Sequence, residues 1–177
     1  MNGIVYRELK PGEIDLIAGI DRGEEITAVY KFTNNTITLV PHQETVHRFD
    51  PAELHQIIST QYKIQQQGGV VIGAFDNQTL AGVASVENLR RGSTEVYYKM
   101  DILYVSKQYR GKKIGETLLL QCKEIAKRFG AEKLYISATP TKNTVDFYFR
   151  HGAVPAKETD MELFTLEPED IHLELTI

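Results

Sequence analysis

The chain has 177 residues, 42% of them hydrophobic and 25% charged, with a net charge of −4 and a single cysteine. That length suffices for one domain spanning 1–177, which hides roughly 70% of its unfolded surface without help from metals or disulfides. The lone Cys122 excludes an internal disulfide and a cysteine-based zinc cluster, and the acidic balance argues against a dedicated nucleic-acid binder, which needs cations to neutralise phosphate.

Residues 1–10 lack the basic start and apolar run of a signal peptide, and no apolar stretch reaches the ~20 residues needed to cross a bilayer. A cytoplasmic chain with neither a membrane nor a nucleic-acid partner is expected. Ile4 to Leu9 reads as a short strand closed by Lys10-Pro11-Gly12, and Ile14, Ile17 and Ala18 recur at helical spacing up to about Ile20. Two β-rich runs within residues 27–40 flank Asn34-Asn35, which predicts a hairpin. Asp50-Pro51-Ala52-Glu53 is a helix start: Asp50 can cap, Pro51 suits the first helical position and Glu53 sits where a capping box places its carboxylate. Leu54, Ile57, Ile58 and Tyr62 give that helix an apolar stripe, and Gly68-Gly69 stops it.

The chain then alternates. Strands are predicted over 70–75 and 80–86 around an Asp76-Asn77-Gln78 turn, and a long strand over 96–105 follows the loop Arg90-Arg91-Gly92-Ser93. A helix over 114–129 places Ile114, Leu118, Cys122, Ile125 and Phe129 on one face, with Gly130 as its stop. A strand over 134–138, a helix over 142–150 and a last period-2 strand over 171–177 complete the pattern. This is an α+β plan around a mixed sheet.

The chemistry is densest from Val105 to Gly115, where a strand runs through a Gly- and Lys-containing turn directly into an amphipathic helix. The first N–H groups of a helix have no intrahelical acceptors, and the macrodipole places partial positive charge there. Gly111 has no Cβ, so a phosphate can approach its backbone, and Arg110, Lys112 and Lys113 add charge at the same end. A pyrophosphate suits such a cradle. The same residues also suit plain turn geometry and a solvated face, and the strand-turn-helix setting is what favours the cradle.

Gln108-x-x-Gly111-x-Lys113 resembles the acetyl-CoA-binding motif of the GNAT superfamily, Gln/Arg-x-x-Gly-x-Gly/Ala, and Ile114-Gly115 with Leu118-Leu119-Leu120 resembles the motif helix that follows it. Lys113 departs from the small residue usual at the third position, though its backbone N–H can still donate. Phe147-Tyr148 ahead of Gly152 resembles the family's second helix. The resemblance covers about residues 70–154. It implies the GNAT fold: a single mixed, mostly antiparallel twisted sheet flanked by helices, in which the strand ending at Val105 splays from the parallel strand beginning near Leu134. Acetyl-CoA is the implied cosubstrate. Its pantetheine would bind the backbone of Leu103 and Val105, and its pyrophosphate the stretch Gln108, Tyr109, Arg110, Gly111, Lys112, Lys113, Ile114 and Gly115. Tyr148 would protonate the departing thiolate, a task that suits a phenol with an ordinary pKa near 10; alone, Tyr148 reads equally well as aromatic core beside Phe147 and Phe149. Where members often carry an Asn, seven residues before the tyrosine, this chain has Thr141; nearby Asn143 is a helix N-cap or a pantetheine contact.

Acetylation of an amine needs a base, and Glu87, Glu95 and Asp101 lie on or beside the central strands. Asp101 is favoured, since a buried carboxylate there would have a raised pKa, although a salt bridge on the sheet surface explains it too. The N-terminal half should line the acceptor pocket; Asp21, Arg22, Glu24, Glu25 and His42 are polar there without amounting to a site. The five histidines (His42, His47, His55, His151, His172) lack metal-ligand spacing, so no metal is expected. The implied activity is transfer of an acetyl group from acetyl-CoA to a primary amine of a small molecule or peptide. The alternative is a non-catalytic GNAT-fold protein that binds or senses acyl-CoA. Paired chains are frequent in the family, so a homodimer is compatible with either.

Overall fold

The computed structural model describes residues 3–177; Met1 and Asn2, the start of the segment read above for a leader, lie outside the described residues. Seven strands form the main sheet: β1 (Val5–Glu8), β4 (Val70–Asp76), β5 (Thr79–Arg91), β6 (Tyr97–Val105), β7 (Lys133–Ala138), β9 (Ile171–Thr176) and β8 (Val154–Pro155), in that spatial order. Every pairing is antiparallel except β6 with β7. The α+β architecture with one parallel pair matches the expectation.

Helices cover both faces. On one side α2 (Ile114–Phe129) and α3 (Lys142–Arg150) pack Leu118, Leu119, Cys122, Ile125, Val145 and Tyr148 against Ile72, Ala84, Met100, Leu134 and Ile136. On the other, α1 (Pro51–Gln66) and a 3-10 helix (Pro11–Gly19) pack Ile64, Ile14 and Ile17 against Val71, Phe75, Val83 and Ile102. The short helix expected up to about Ile20 forms as this 3-10 helix, and Arg7 grips Glu13 with two hydrogen bonds of 2.7 and 2.9 Å. Asp50 caps α1 as read, accepting from Ala52 and Glu53 N–H, but Glu53 turns to Arg22 at 2.5 Å instead of closing a capping box.

The predicted hairpin is longer than its apolar runs and stands apart from the main sheet as a second, two-stranded sheet: β2 (Glu24–Thr33) and β3 (Thr36–Val46). Asn34 and Asn35 both adopt positive φ (52° and 59°), the pair of left-handed residues that a tight hairpin turn needs. The hairpin docks on the β7–α3 junction through Tyr30 N–H to Pro140 C=O (2.7 Å) and the Tyr30 hydroxyl to Asp146 (2.6 Å).

Two departures shape the centre. Parallel pairing of β6 with β7 runs from Tyr97↔Lys133 to Met100↔Ile136 and stops, while β6 continues to Val105. At the same point the β5–β6 register slips, because Ala84 faces Leu103 and Val86 faces Met100. Asp101 and Ile102 therefore stand opposite the single residue Ser85, and this bulge turns β6 away from β7. The segment between α3 and β9, left unassigned from sequence, contains β8 and α4 (Met161–Leu166), whose N-cap Asp160 accepts from Leu163 N–H.

Candidate active site

A cavity of about 990 Å³ opens where β6 and β7 part, bounded by the start of α2, by α3 and by the β2–β3 hairpin. Of the residues singled out from sequence, it gathers Asp101, Leu103, Val105, Tyr109, Arg110, Gly111, Lys113, Ile114, Gly115, Asn143 and Tyr148 on one wall system. Gln108 and Lys112 are exposed and stand outside that wall.

The stretch read as an anion cradle is built largely of backbone. The first intrahelical bond at this end of α2 runs from Thr117 N–H to Lys113 C=O at 3.0 Å, so the amides of Ile114, Gly115 and Glu116 precede the ladder, and no side chain caps them. Gly111 has φ +76°, and a Cβ built on it would meet nothing within 4 Å. Space is thus open beside a backbone that any side chain would strain. Lys113 also lies in the left-handed region, at φ 61°. For a residue with a Cβ this costs about 1–2 kcal/mol, which explains why a glycine is at home there and why lysine is a departure.

Arg110 does something the sequence did not suggest. Its Nε donates to Val105 C=O (3.0 Å) and a terminal nitrogen to Gly23 C=O (2.8 Å), so it ties the end of β6 to the entry of the hairpin. Tyr109 donates its hydroxyl to Asp76 at 3.0 Å, and Lys112 lies over its ring. Asn143 is not the cap of α3; Thr141 is, with its hydroxyl accepting from Thr144 N–H at 3.4 Å. Asn143 instead donates to Glu24 at 2.9 Å, bridging α3 to the hairpin.

Tyr148 is only 5% exposed, and the cavity reaches it. Burial pushes its phenol pKa up, so it stays protonated through the physiological range. Among the described residues its hydroxyl has no hydrogen-bond partner. On the other face of the parted strands, Asp101 accepts from Lys99 Nζ at 2.6 Å and from Gln61 Nε2 at 2.7 Å. Gln61 is fully buried on α1, and Lys99 lies 3.9 Å from Glu87, which Arg91 grips. Glu95 is held by Lys133 at 2.5 Å. Of the three carboxylates considered from sequence, Asp101 is the one that lines the cavity.

The wall expected to face an acceptor was mostly hidden in the sequence. Arg22, Glu24 and His42 line the cavity as the N-terminal half was expected to do, whereas Asp21 and Glu25 do not. Lys31, Glu44, Tyr104, Ser137, Arg150, His151 and Glu169 also line it. Period-2 alternation along β7 gives Ser137 a face of the strand but nothing that marks it as a site residue. Among the described residues no group of three or more His, Cys, Asp or Glu is placed to hold a metal ion, and no helix is long and apolar enough to cross a membrane.

The family model for the Acetyltransferase (GNAT) family matches residues 36–153, most of the chain, and the protein belongs to that family. A search of curated protein sequences finds no match. Among solved structures, nourseothricin acetyltransferase superposes with a TM-score of 0.73 at 19% identity, covering 99% of both chains. A protein provisionally assigned as streptothricin acetyltransferase from Bacillus anthracis str. Ames, in complex with acetyl coenzyme A, gives 0.68 at 17% identity, covering 99% of this chain and 100% of that one. PaiA N-acetyltransferase from Thermoplasma acidophilum, in complex with coenzyme A, gives 0.61 at 18% identity and 99% of both. At these identities the likeness is one of fold.

Proposed function

We propose that the protein is an N-acetyltransferase that moves the acetyl group of acetyl-CoA directly to a primary amine of a small molecule or a peptide. The observation that carries this reading is a single cavity shared by an uncapped helix N-terminus, a pair of parted parallel strands, a buried free phenol and an ion-paired carboxylate. The open space at Gly111 and the unpaired first amides of α2 suit the pyrophosphate of coenzyme A, with Gln108, Lys112 and Lys113 adding charge and polarity at the rim. The backbone of Leu103 and Val105 suits the pantetheine amides, and Asn143 stands beside it. Two structural relatives bound to acetyl coenzyme A or coenzyme A support this choice.

Bound acetyl-CoA supplies a thioester that an amine can attack. Asp101 takes the first proton from the acceptor's ammonium group, and Tyr148 gives its phenolic proton to the sulfur as the carbon–sulfur bond breaks. Lys99 and Gln61 hold the Asp101 carboxylate in place for this. Glu24, Glu44 and Glu169 offer carboxylates to a cationic acceptor on a wall they share with Arg22, Lys31 and Arg150, and the relatives named for nourseothricin and streptothricin support such an acceptor. We place the enzyme in the cytoplasm, as a monomer or homodimer acting on soluble acceptors without nucleic acid or membrane.

The test is release of free coenzyme A thiol from acetyl-CoA in the presence of L-lysine, spermidine, a lysine-containing peptide and streptothricin. Turnover with one of them supports the reading. Tight acetyl-CoA binding with no thiol released by any acceptor would point instead to a sensor.

A further inference from the structure

The acceptor amine must shed two protons, and Asp101 can take one. An ammonium group enters as R–NH3+ and leaves as the amide R–NH–CO–CH3. The nitrogen forms a bond to the acetyl carbon, the carbon–sulfur bond breaks with its electron pair on sulfur, and sulfur takes one proton from Tyr148. One proton leaves the nitrogen before attack and a second as the carbon–nitrogen bond forms. A single carboxylate cannot accept both; over the turnover one of the two restores the Tyr148 phenolate and the other is released to solvent.

Across the parted strands from Asp101 stands Ser137. The two are the first residues beyond the last parallel pair, Met100↔Ile136, one on each strand, and both line the cavity. The Ser137 hydroxyl donates to Asp170 Oδ2 at 3.0 Å. Its hydrogen is thereby directed away from the cavity, which leaves an oxygen lone pair for a proton arriving from the acceptor. Asp170 is partly buried just ahead of β9, and among the described residues no basic side chain bonds it.

From this geometry we infer that Ser137 and Asp170 form the second proton exit of the reaction: the Ser137 oxygen receives the second proton from the acceptor nitrogen while passing its own to Asp170. Asp170 acts through Ser137 and is therefore a positioning and relay residue. This rests on the acetyltransferase reading above.

The groups around Asp170 suit the task. Burial raises its pKa, and the Glu167 carboxyl at the end of α4 raises it further; the Ser137 hydroxyl and the Lys99 ammonium on β6 pull it down, with burial prevailing. On α3, Tyr148 feels the Asp170 charge, which helps keep the phenol protonated. His172, two residues on, shares a 2.7 Å hydrogen bond with Tyr135, and burial holds it neutral. A carboxylate lifted toward neutral pH binds a proton more firmly than a solvated one and releases it again between turnovers.

The experiment is the pH dependence of kcat and of kcat/KM for the wild type, Ser137→Ala, Ser137→Thr, Asp170→Asn and Asp170→Glu, with acetyl-CoA and the best acceptor of the four named above. Asp170→Asn keeps the shape of the side chain and is expected to fold. The relay predicts that Ser137→Ala and Asp170→Asn lower kcat about 10²-fold, with the acetyl-CoA dissociation constant within twofold by calorimetry. Asp170→Asn should also erase an acidic limb that the wild type shows above the usual carboxylate range, and Ser137→Thr and Asp170→Glu should restore most of the rate. An Asp170→Asn enzyme with wild-type kcat and an unchanged limb overturns the relay and leaves the acetyltransferase reading standing. Absence of turnover in the wild type with all four acceptors defeats that reading itself.

Discussion

The two sides of the cavity are made by different means. On the side we propose for the cofactor, the groups offered are main-chain amides at the start of α2 and the backbone of β6, presented by one continuous stretch of chain. On the side we propose for the acceptor they are polar side chains, one or two from each of β2, β3, β6, β7 and the approach to β9. A backbone device leaves a compact trace in sequence, because glycine and helix-start positions are fixed relative to one another. A side-chain device assembled by topology leaves none. The first side is thus suited to one unvarying ligand, and the second can be rebuilt residue by residue for another acceptor.

The comparison breaks most visibly at Tyr148, where the two sides meet. Tyr148→Phe should lower kcat about 10²-fold or more, while acetyl-CoA affinity measured by calorimetry stays within twofold. Equal losses in both would make Tyr148 a packing residue. Next is Gly111→Val. A β-branched residue at φ +76° is strained by about 1–2 kcal/mol, and its side chain fills the open space beside the amides. Acetyl-CoA affinity should fall at least about tenfold, since about 1.4 kcal/mol is a factor of ten, and unchanged affinity would remove the cradle from that loop.

Lys113→Gly sharpens the same side with a smaller effect. Relief of about 1–2 kcal/mol of left-handed strain outweighs the about 0.5–1 kcal/mol that glycine loses in chain entropy. A net gain near 1 kcal/mol should raise the melting temperature by about 2–4 °C with acetyl-CoA binding retained. On the acceptor side, the raised pKa of Asp170 means that the folded state holds a proton which the unfolded chain has released. Its contribution to stability therefore falls as pH rises from the ordinary carboxylate range through the folded pKa. Asp170→Asn should stabilise the protein at pH 8 and do so less at pH 5, which lies within that window. The shift in melting temperature at pH 8 should be several degrees, since each unit of raised pKa is worth about 1.4 kcal/mol and about 1 kcal/mol moves the midpoint by about 2–4 °C, and the opposite sign would mean that the folded protein favours ionised Asp170.

Much of the fold was legible from periodicity and caps. The apolar face of α2, Asp50 at the start of α1 and the Asn34-Asn35 turn all reappear in place. The misses have physical reasons. β5 runs on to Arg91 through Glu87-Asn88-Leu89, a polar stretch that reads as loop; a second register shift and the ion pairs of Arg91 with Glu87 and Asp160 hold it in the sheet. α4 buries only Leu163, while Met161 and Leu166 are among the most exposed apolar residues, so it carries little amphipathic signal. In the candidate site, Gly111 and Tyr148 were singled out from motif context, and both line the cavity. Ser137, Glu44 and Glu169 were not, because nothing in their neighbours marks them until the chain is folded.

The most direct test of the account is a crystal structure of the protein with coenzyme A. It predicts the pyrophosphate on the amides from Gly111 to Gly115, the pantetheine between β6 and β7, and the thiol within hydrogen-bond reach of the Tyr148 hydroxyl. A coenzyme A molecule bound elsewhere, or one whose thiol points away from Tyr148 and Asp101, would contradict it.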